Sequence, residues 1–354
     1  MIDYILVGQG LAGSLLSHFL LKKGKTVAFV DNNHKGASSA VAAGIINPIT
    51  GRNFVKSWRT DELQPLAFST YDEISALLGV QIFYPINVAV LFREIETSNN
   101  WLGRLSDPAL EGYIAKEFDL NAYQKTFGNS VVSGAEFEQS GRCDIPTFIL
   151  KWKDYLIEKA IDYLQEEFDY NQLQISSKSV SYKTLNAKSV IFCEGHAVEK
   201  NPFFSQLHFS PAKGEILLVK IQNYPFKNKM AKDGIFIVHL KDDIYWVGSS
   251  YNRDFEHSKP SKEAYNDLIN ELTAMLNMPF ELIDHLAAIR PTVRDRKPYL
   301  GVHPLYNNVY IFNGLGAKGS SLGPYFASHF ADWLNGEIEL DTEVDIKRLK
   351  SLKK

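Results

Sequence analysis

The strongest constraint on this chain lies in its first 31 residues. Tyr4-Ile5-Leu6-Val7 is a short, continuously apolar run, as a parallel strand buried on both faces requires. Gly8-Gln9-Gly10-Leu11-Ala12-Gly13 follows, and Leu15, Leu16, Phe19 and Leu20 then recur at helical spacing. Gly24 is placed to end that helix. Val27-Ala28-Phe29-Val30 reads as a second buried strand, closed by Asp31. In such a unit Gly8 permits the turn out of the strand. Gly10 removes the Cβ that would keep a pyrophosphate off the backbone, and Gly13 lets the helix close on the sheet. The helix start at Leu11 and Ala12 offers free N–H groups and a positive dipole end to phosphates. Asp31, 18 residues after Gly13, stands where a carboxylate accepts hydrogen bonds from an adenosine ribose. Its charge repels a 2′-phosphate, which disfavours NADP. The unit predicts a dinucleotide site and leaves FAD and NAD both open.

Further along, residues 61–78 read as a helix and 82–92 as strands. Asp144-Ile145-Pro146 starts a helix, with Asp144 as N-cap and proline in the first turn. Ser189-Val190-Ile191-Phe192-Cys193 is another buried strand, ending in Glu194-Gly195. Residues 216–221, 235–240 and 244–248 read as an antiparallel meander, and 261–276 as a helix. Val309-Tyr310-Ile311-Phe312 restores the buried-strand pattern. It feeds a glycine-rich loop and a last helix expected to begin near Ser321 or Leu322. No internal repeat or low-complexity linker appears.

Composition excludes several classes. With 354 residues, 45% of them hydrophobic, the chain can bury two cores. A net charge of -3 gives no pull toward nucleic acid or anionic lipid. The basic tail, Lys347-Arg348-Leu349-Lys350-Ser351-Leu352-Lys353-Lys354, is read as a solvated helix end or frayed terminus. Two cysteines far apart, Cys143 and Cys193, imply no disulfide framework and fit a reducing cytoplasm. The N-terminus reads as a strand and not as a signal peptide, and no apolar run approaches the ~20 residues of a membrane span. The 9 histidines form no HExxH or Cys/His cluster, so no metal is expected, and no GxSxG elbow is present.

Several segments carry a resemblance. Gly36 to Ile46 is a small, hydroxylated loop that can pass beside a flat ring and includes Ser38, Ser39, Ala43, Gly44 and Ile45. Arg290-Pro291-Thr292-Val293-Arg294-Asp295-Arg296-Lys297-Pro298-Tyr299-Leu300-Gly301 is an Arg-Pro…Asp…Pro…Gly signature. Asn313-Gly314-Leu315-Gly316-Ala317-Lys318-Gly319 is a second glycine-rich loop, and Arg142-Cys143-Asp144 and Glu194-Gly195-His196 complete the set. On these residues, over nearly its whole length, the chain resembles the D-amino-acid oxidase/glycine oxidase family of flavoproteins, and its motifs are nearest the glycine oxidase branch.

The resemblance implies FAD. It would be held noncovalently, since neither cysteine lies just upstream of Asp295, where some sarcosine oxidase relatives attach flavin. The implied FAD residues are Gly8, Gly10, Leu11, Ala12, Gly13 and Asp31; Ser38, Ser39, Ala43, Gly44 and Ile45; and Gly195, Gly314, Gly316, Ala317, Lys318, Gly319 and Ser320. The amides at 316–320 and the last helix's N-terminus would face the ring where negative charge gathers. Arg290 matches the arginine that clamps a substrate carboxylate; an ion pair with Glu281 or Asp284 is the structural alternative. Ala317 departs from the family, where glycine oxidase has a second arginine. Glycine itself is therefore in doubt as substrate, and Lys318 is the neighbouring cation. Tyr251, with Tyr245 and Trp246, is a candidate for the pocket wall, and Tyr251 joins Arg290 and Lys318 in the expected catalytic set.

The expected fold is α/β, a Rossmann-type FAD-binding domain with a substrate domain on a mainly antiparallel sheet. Residues 1–80, 140–210 and 286–354 would form the first and 81–139 and 211–285 the second. The expected activity is oxidation of the C–N bond of a small amine or amino acid by hydride transfer to flavin N5. The imine then hydrolyses, and oxygen or another electron acceptor takes the electrons. Alternatives are a dehydrogenase with a non-oxygen acceptor, a non-catalytic flavin-binding protein and an oxidase of a modified tRNA base. A similar domain occurs in a bifunctional tRNA wobble-uridine enzyme, but the acidic balance and lack of a basic stripe argue against nucleic acid.

Overall fold

The computed structural model describes residues 1–34 and 36–349; Lys35 and the end of the basic tail from Lys350 lie outside the described residues. The first strand, Ile2–Val7, runs parallel between Val27–Val30 and Leu185–Phe192. Tyr163–Leu164 extends this array on one side and Val309–Asn313 on the other, both parallel. Tyr299–Val302 returns antiparallel, and Val180–Tyr182 with Leu173–Ile175 completes an 8-stranded sheet.

The strands are apolar on both faces because both faces are covered. Leu6, Phe29 and Ile191 pack with the helices Leu11–Lys22, Ile145–Glu158 and Gly319–Leu334. Ile5, Val7, Ala28 and Val30 pack in a second cluster with Tyr182 and Phe204. Trp152 Nε1 donates to Ser17 Oγ at 2.8 Å and ties two of the helices together. Asp144 caps its helix as expected, accepting from the Thr147 N–H at 3.3 Å.

The other large sheet has 7 strands. In order across it they are Glu281–Arg290, Ala212–Lys220, Ile244–Gly248, Ile235–Lys241, Lys229–Asp233, Asn87–Phe92 and Ser133–Phe137. Every pair is antiparallel except Lys229–Asp233 with Asn87–Phe92. This corrects the three-strand meander. Lys229–Asp233 escaped the pattern because KMAKD carries three charges in five residues. The strand of 235–241 neighbours 244–248, which alone separates it from 212–220. Helices Leu120–Phe127 and Lys262–Met275 cover one face.

Two local expectations are also corrected. The last helix starts at Gly319, after a 3-10 turn over Gly316–Lys318. Glycines hide that start from a propensity reading, yet Gly323 is needed for packing, since a Cβ there would lie 2.7 Å from Leu15 Cδ1. Arg348 of the tail is not simply solvated. It donates to the carbonyls of Lys297 at 3.2 Å and Pro298 at 3.3 Å, and its guanidinium stacks 4.9 Å from the Tyr299 ring.

The loop after the first βαβ unit is fixed at Gly44. Its φ is +75°, and a Cβ there would overlap the Cys143 carbonyl oxygen. The Cys143 N–H meanwhile donates to the Gly44 carbonyl at 2.9 Å. Gly44→Ala is therefore expected to cost about 1–3 kcal/mol or more. Thermal unfolding reads this as a lowered Tm; an unchanged Tm would show that the segment relaxes freely.

Candidate active site

A cavity of about 1020 Å³ runs between the two large sheets. That is at the top of the roughly 300–1,000 Å³ span of small-molecule sites, enough for a dinucleotide and more. All the expected FAD residues lie on its wall except Gly13 and Gly314. Gly13 serves packing, since a Cβ there would overlap the Gly8 carbonyl oxygen. Gly314 has φ +82°, and its Cβ would press on Val293 Cγ2 at 2.6 Å.

At one end the first helix opens onto the cavity. Gly10 is its N-cap and supplies no side chain; Ser39 Oγ accepts from the Leu11 N–H at 3.0 Å instead. A Cβ on Gly10 would lie 3.1 Å from that hydroxyl, so the glycine keeps the helix start open. Asp31 Oδ1 accepts from the Gln9 N–H at 2.8 Å, and Oδ2 from the Asn33 N–H at 2.8 Å and the Tyr163 hydroxyl at 3.2 Å. A carboxylate has about four acceptor positions, so one remains for a ribose hydroxyl. A dinucleotide fits this end: the first-turn N–H groups after Leu11 for the pyrophosphate and an acceptor beyond the second strand.

Farther along, Gly195 stands beside Glu194, a buried carboxyl on the same wall. Burial pushes Glu194 up to about 7, against the Tyr170 hydroxyl and Asn201 Nδ2, which donate to it at 2.5 and 2.7 Å. Next come Ala43, Gly44 and Ile45 on one side and the 316–320 loop on the other. Ser320 Oγ joins them by donating to the Ile45 carbonyl at 3.1 Å. Lys318 Nζ donates to Ser57 Oγ at 3.0 Å and Thr50 Oγ1 at 3.4 Å. Burial, and then Arg296, lower its pKa. Thr50 and Ser57 were missed in the sequence, where they stand around two strands of only two residues each. Ala317 is exposed.

At the far end Arg290 closes the strand Glu281–Arg290 and projects into the cavity. Nη2 donates to Ser249 Oγ at 2.7 Å and the Ser250 carbonyl at 3.3 Å. Nη1 is buried with no partner among the described residues, and among them the guanidinium bonds to Ser249 and Ser250 and not to Glu281 or Asp284. Burial lowers the guanidinium below its usual range, and the Tyr251 phenol works the other way. Tyr251, 54% exposed, lies at the mouth with Arg290 and Arg253 each 5.7 Å from its ring. Trp246 lines the wall and Tyr245 is buried in the other face's core. Gly214 lies under the guanidinium, which a Cβ there would overlap. No group of three or more His, Cys, Asp or Glu among the described residues could hold a metal ion. No helix among them is long and apolar enough to cross a membrane.

Glu194 generates a pH prediction. Its folded pKa lies above the usual 4.5, so the folded state holds a proton that the unfolded state releases first. Stability from this group is present at low pH and is lost as pH rises through about 7. Glu194→Gln should remove that slope, so the stability gap between variant and wild type changes between pH 5 and 8. Unfolding curves that shift in parallel across those pH values would rule it out.

Comparison with known proteins fits this geometry. The chain is 24% identical over 360 residues to glycine oxidase of Bacillus subtilis (strain 168), covering 96% of this chain and 95% of that protein. It is 26% identical over 197 residues to the tRNA 5-methylaminomethyl-2-thiouridine biosynthesis bifunctional protein of Idiomarina loihiensis, 52% of this chain and 31% of that one. The crystal structure of glycine oxidase from Bacillus cereus superposes with a TM-score of 0.81 at 18% identity, covering 96% of each chain. The FAD dependent oxidoreductase family matches residues 3–333, and the chain belongs to that family.

Proposed function

We propose that the chain oxidises the C–N bond of a small amino acid, with the substrate carboxylate on Arg290. The observation that carries this reading is the guanidinium itself: buried in the cavity, held by Ser249 and Ser250 on one arm, and unpartnered at Nη1. A buried cation without a counter-charge is costly, and a carboxylate offers the planar partner that its free edge lacks. FAD, held along the wall formed by Gly10, Asp31, Ala43, Gly44, Ile45 and the 316–320 loop, would supply the hydride acceptor, with oxygen or another acceptor as the final electron sink. The chain's own part is positioning. Arg290 would orient the α-carbon, Tyr251 would screen the mouth, and the Ser320 to Ile45 bond would hold the two ring-side loops at a fixed spacing. The substrate amine reacts unprotonated, and its imine product hydrolyses in water.

Residues 1–80, 140–210 and 286–354 would form the FAD-binding domain and 81–139 and 211–285 the substrate domain; the membership of the two large sheets supports this division except at 286–290, which continue the strand Glu281–Arg290 of the 7-stranded sheet. Two free, buried cysteines fit a cytoplasmic protein. A net charge of -3 favours a small substrate over a tRNA.

Gly10→Leu should yield protein without bound FAD, checked by the absorbance of the purified protein; a yellow variant overturns the pyrophosphate placement. Losing the carboxylate clamp should cost on the order of 2–4 kcal/mol, roughly 30- to 1000-fold in kcat/KM. Arg290→Ala is expected to show that loss in anaerobic flavin reduction, and Arg290→Lys to recover only part of it. If Arg290→Ala reduces flavin as well as wild type does, the carboxylate role is wrong and an amine without a carboxylate becomes the substrate.

A further inference from the structure

On that reading Arg290 fixes one end of the substrate, and a second cation in the same cavity bears on the other end. Lys232 lies on the strand Lys229–Asp233 and reaches the cavity wall. Its cross-strand partner is Phe236, and its ammonium sits 5.4 Å from the centre of that ring. Among the described residues nothing accepts a hydrogen bond from it and no carboxylate pairs with it. The adjacent carboxylate, Asp233, is engaged by Arg93. Burial lowers the Lys232 pKa, so its charge is held at a cost that an anion would offset.

The register places this ammonium relative to the guanidinium. Phe236 pairs with Gly248, Gly248 with Ile216, and Ile216 with Leu286, which is four residues before Arg290 and on the same face. Ser249, next to Gly248, holds Arg290 Nη2. The ammonium over Phe236 and the guanidinium over Gly214, beside Ser249, therefore stand over two strands with Ile244–Gly248 between them, on the order of 10 Å apart. Gly248 lies between them and raises no side chain from the cavity floor. One carboxylate cannot reach both cations. Allowing about 3 Å of hydrogen-bond length at each end, the remaining gap of about 4 Å suits two carboxylates joined through a short carbon chain.

We infer that the substrate is an amino acid with a second carboxylate on its side chain, the α-carboxylate on Arg290 and the distal one on Lys232. Lys232 then selects by charge, because a neutral side chain leaves the ammonium without a counter-charge in a half-buried setting.

The test uses the FAD-loaded protein and anaerobic flavin reduction. Both enantiomers of aspartate and glutamate are compared with asparagine, glutamine, alanine and glycine. In wild type the acids should exceed their amides by roughly 10- to 100-fold in reduction rate over half-saturating concentration, mostly in the latter. Lys232→Met should bring that ratio close to one, and Lys232→Arg should keep most of it. A wild type that reduces with amides as well as with acids overturns the inference and leaves amino-acid oxidation standing. So does an acid-to-amide ratio that Lys232→Met does not change. If no amino acid bleaches the flavin, both readings fall.

Discussion

The structure depends on how closely the first helix approaches the turn before it. Gly8 leaves the strand with φ +97°, its own Cβ position 2.6 Å from the Cys193 carbonyl oxygen. Gly13 then lies directly against the Gly8 carbonyl. Any side chain at either position would lift the helix off the sheet. The helix start would move with it, and Leu11 would part from Ser39. Leu11 and Leu15 of the same helix are the surfaces against which Gly319 and Gly323 of the last helix close. One backbone contact thus sets both the nucleotide end of the cavity and the angle at which the 316–320 loop meets it.

What the sequence made legible follows from that contact. Residues 2–31 could be read because strand, turn and helix each leave an unambiguous period or a glycine requirement, and all of them agree. The 38–45 and 313–320 loops could be recognised as belonging with them. Lys229–Asp233 could not. A strand whose neighbours supply its hydrophobic environment needs little apolar pattern of its own, and Lys232, between Ala231 and Asp233, looks like a solvated charge in one dimension. Thr50 and Ser57 were invisible for another reason. They matter only because the last helix brings Lys318 back across the chain to meet them. The side-chain environment of Arg290 was equally hidden, since Ser249 and Ser250 lie forty residues away and nothing in the spacing pairs them.

The strand Ala212–Lys220 shows how one element separates structural charge from chemistry. Its side chains alternate between faces. Lys213 and Glu215 point to the helix-covered side, where their charged groups meet at 2.9 Å. Ser261 donates to Glu215 from both its N–H, at 2.7 Å, and its hydroxyl, at 2.8 Å, and His285 stands 3.0 Å away. Every charge there has a partner, as a buried group requires. Gly214 and Ile216 occupy the other face, beneath Arg290 and beside Gly248. There the cations face the cavity, and among the described residues no carboxylate forms an ion pair with Arg290 or Lys232. A sheet that neutralises its charges within ångströms of the cavity on one side, and leaves Arg290 and Lys232 without counter-charges on the other, has not run short of acidic residues. On the proposed reading, the free energy spent on holding those two cations without counter-charges is recovered when an anion enters, which makes the unpaired face the binding face and the paired face the scaffold that keeps it in register.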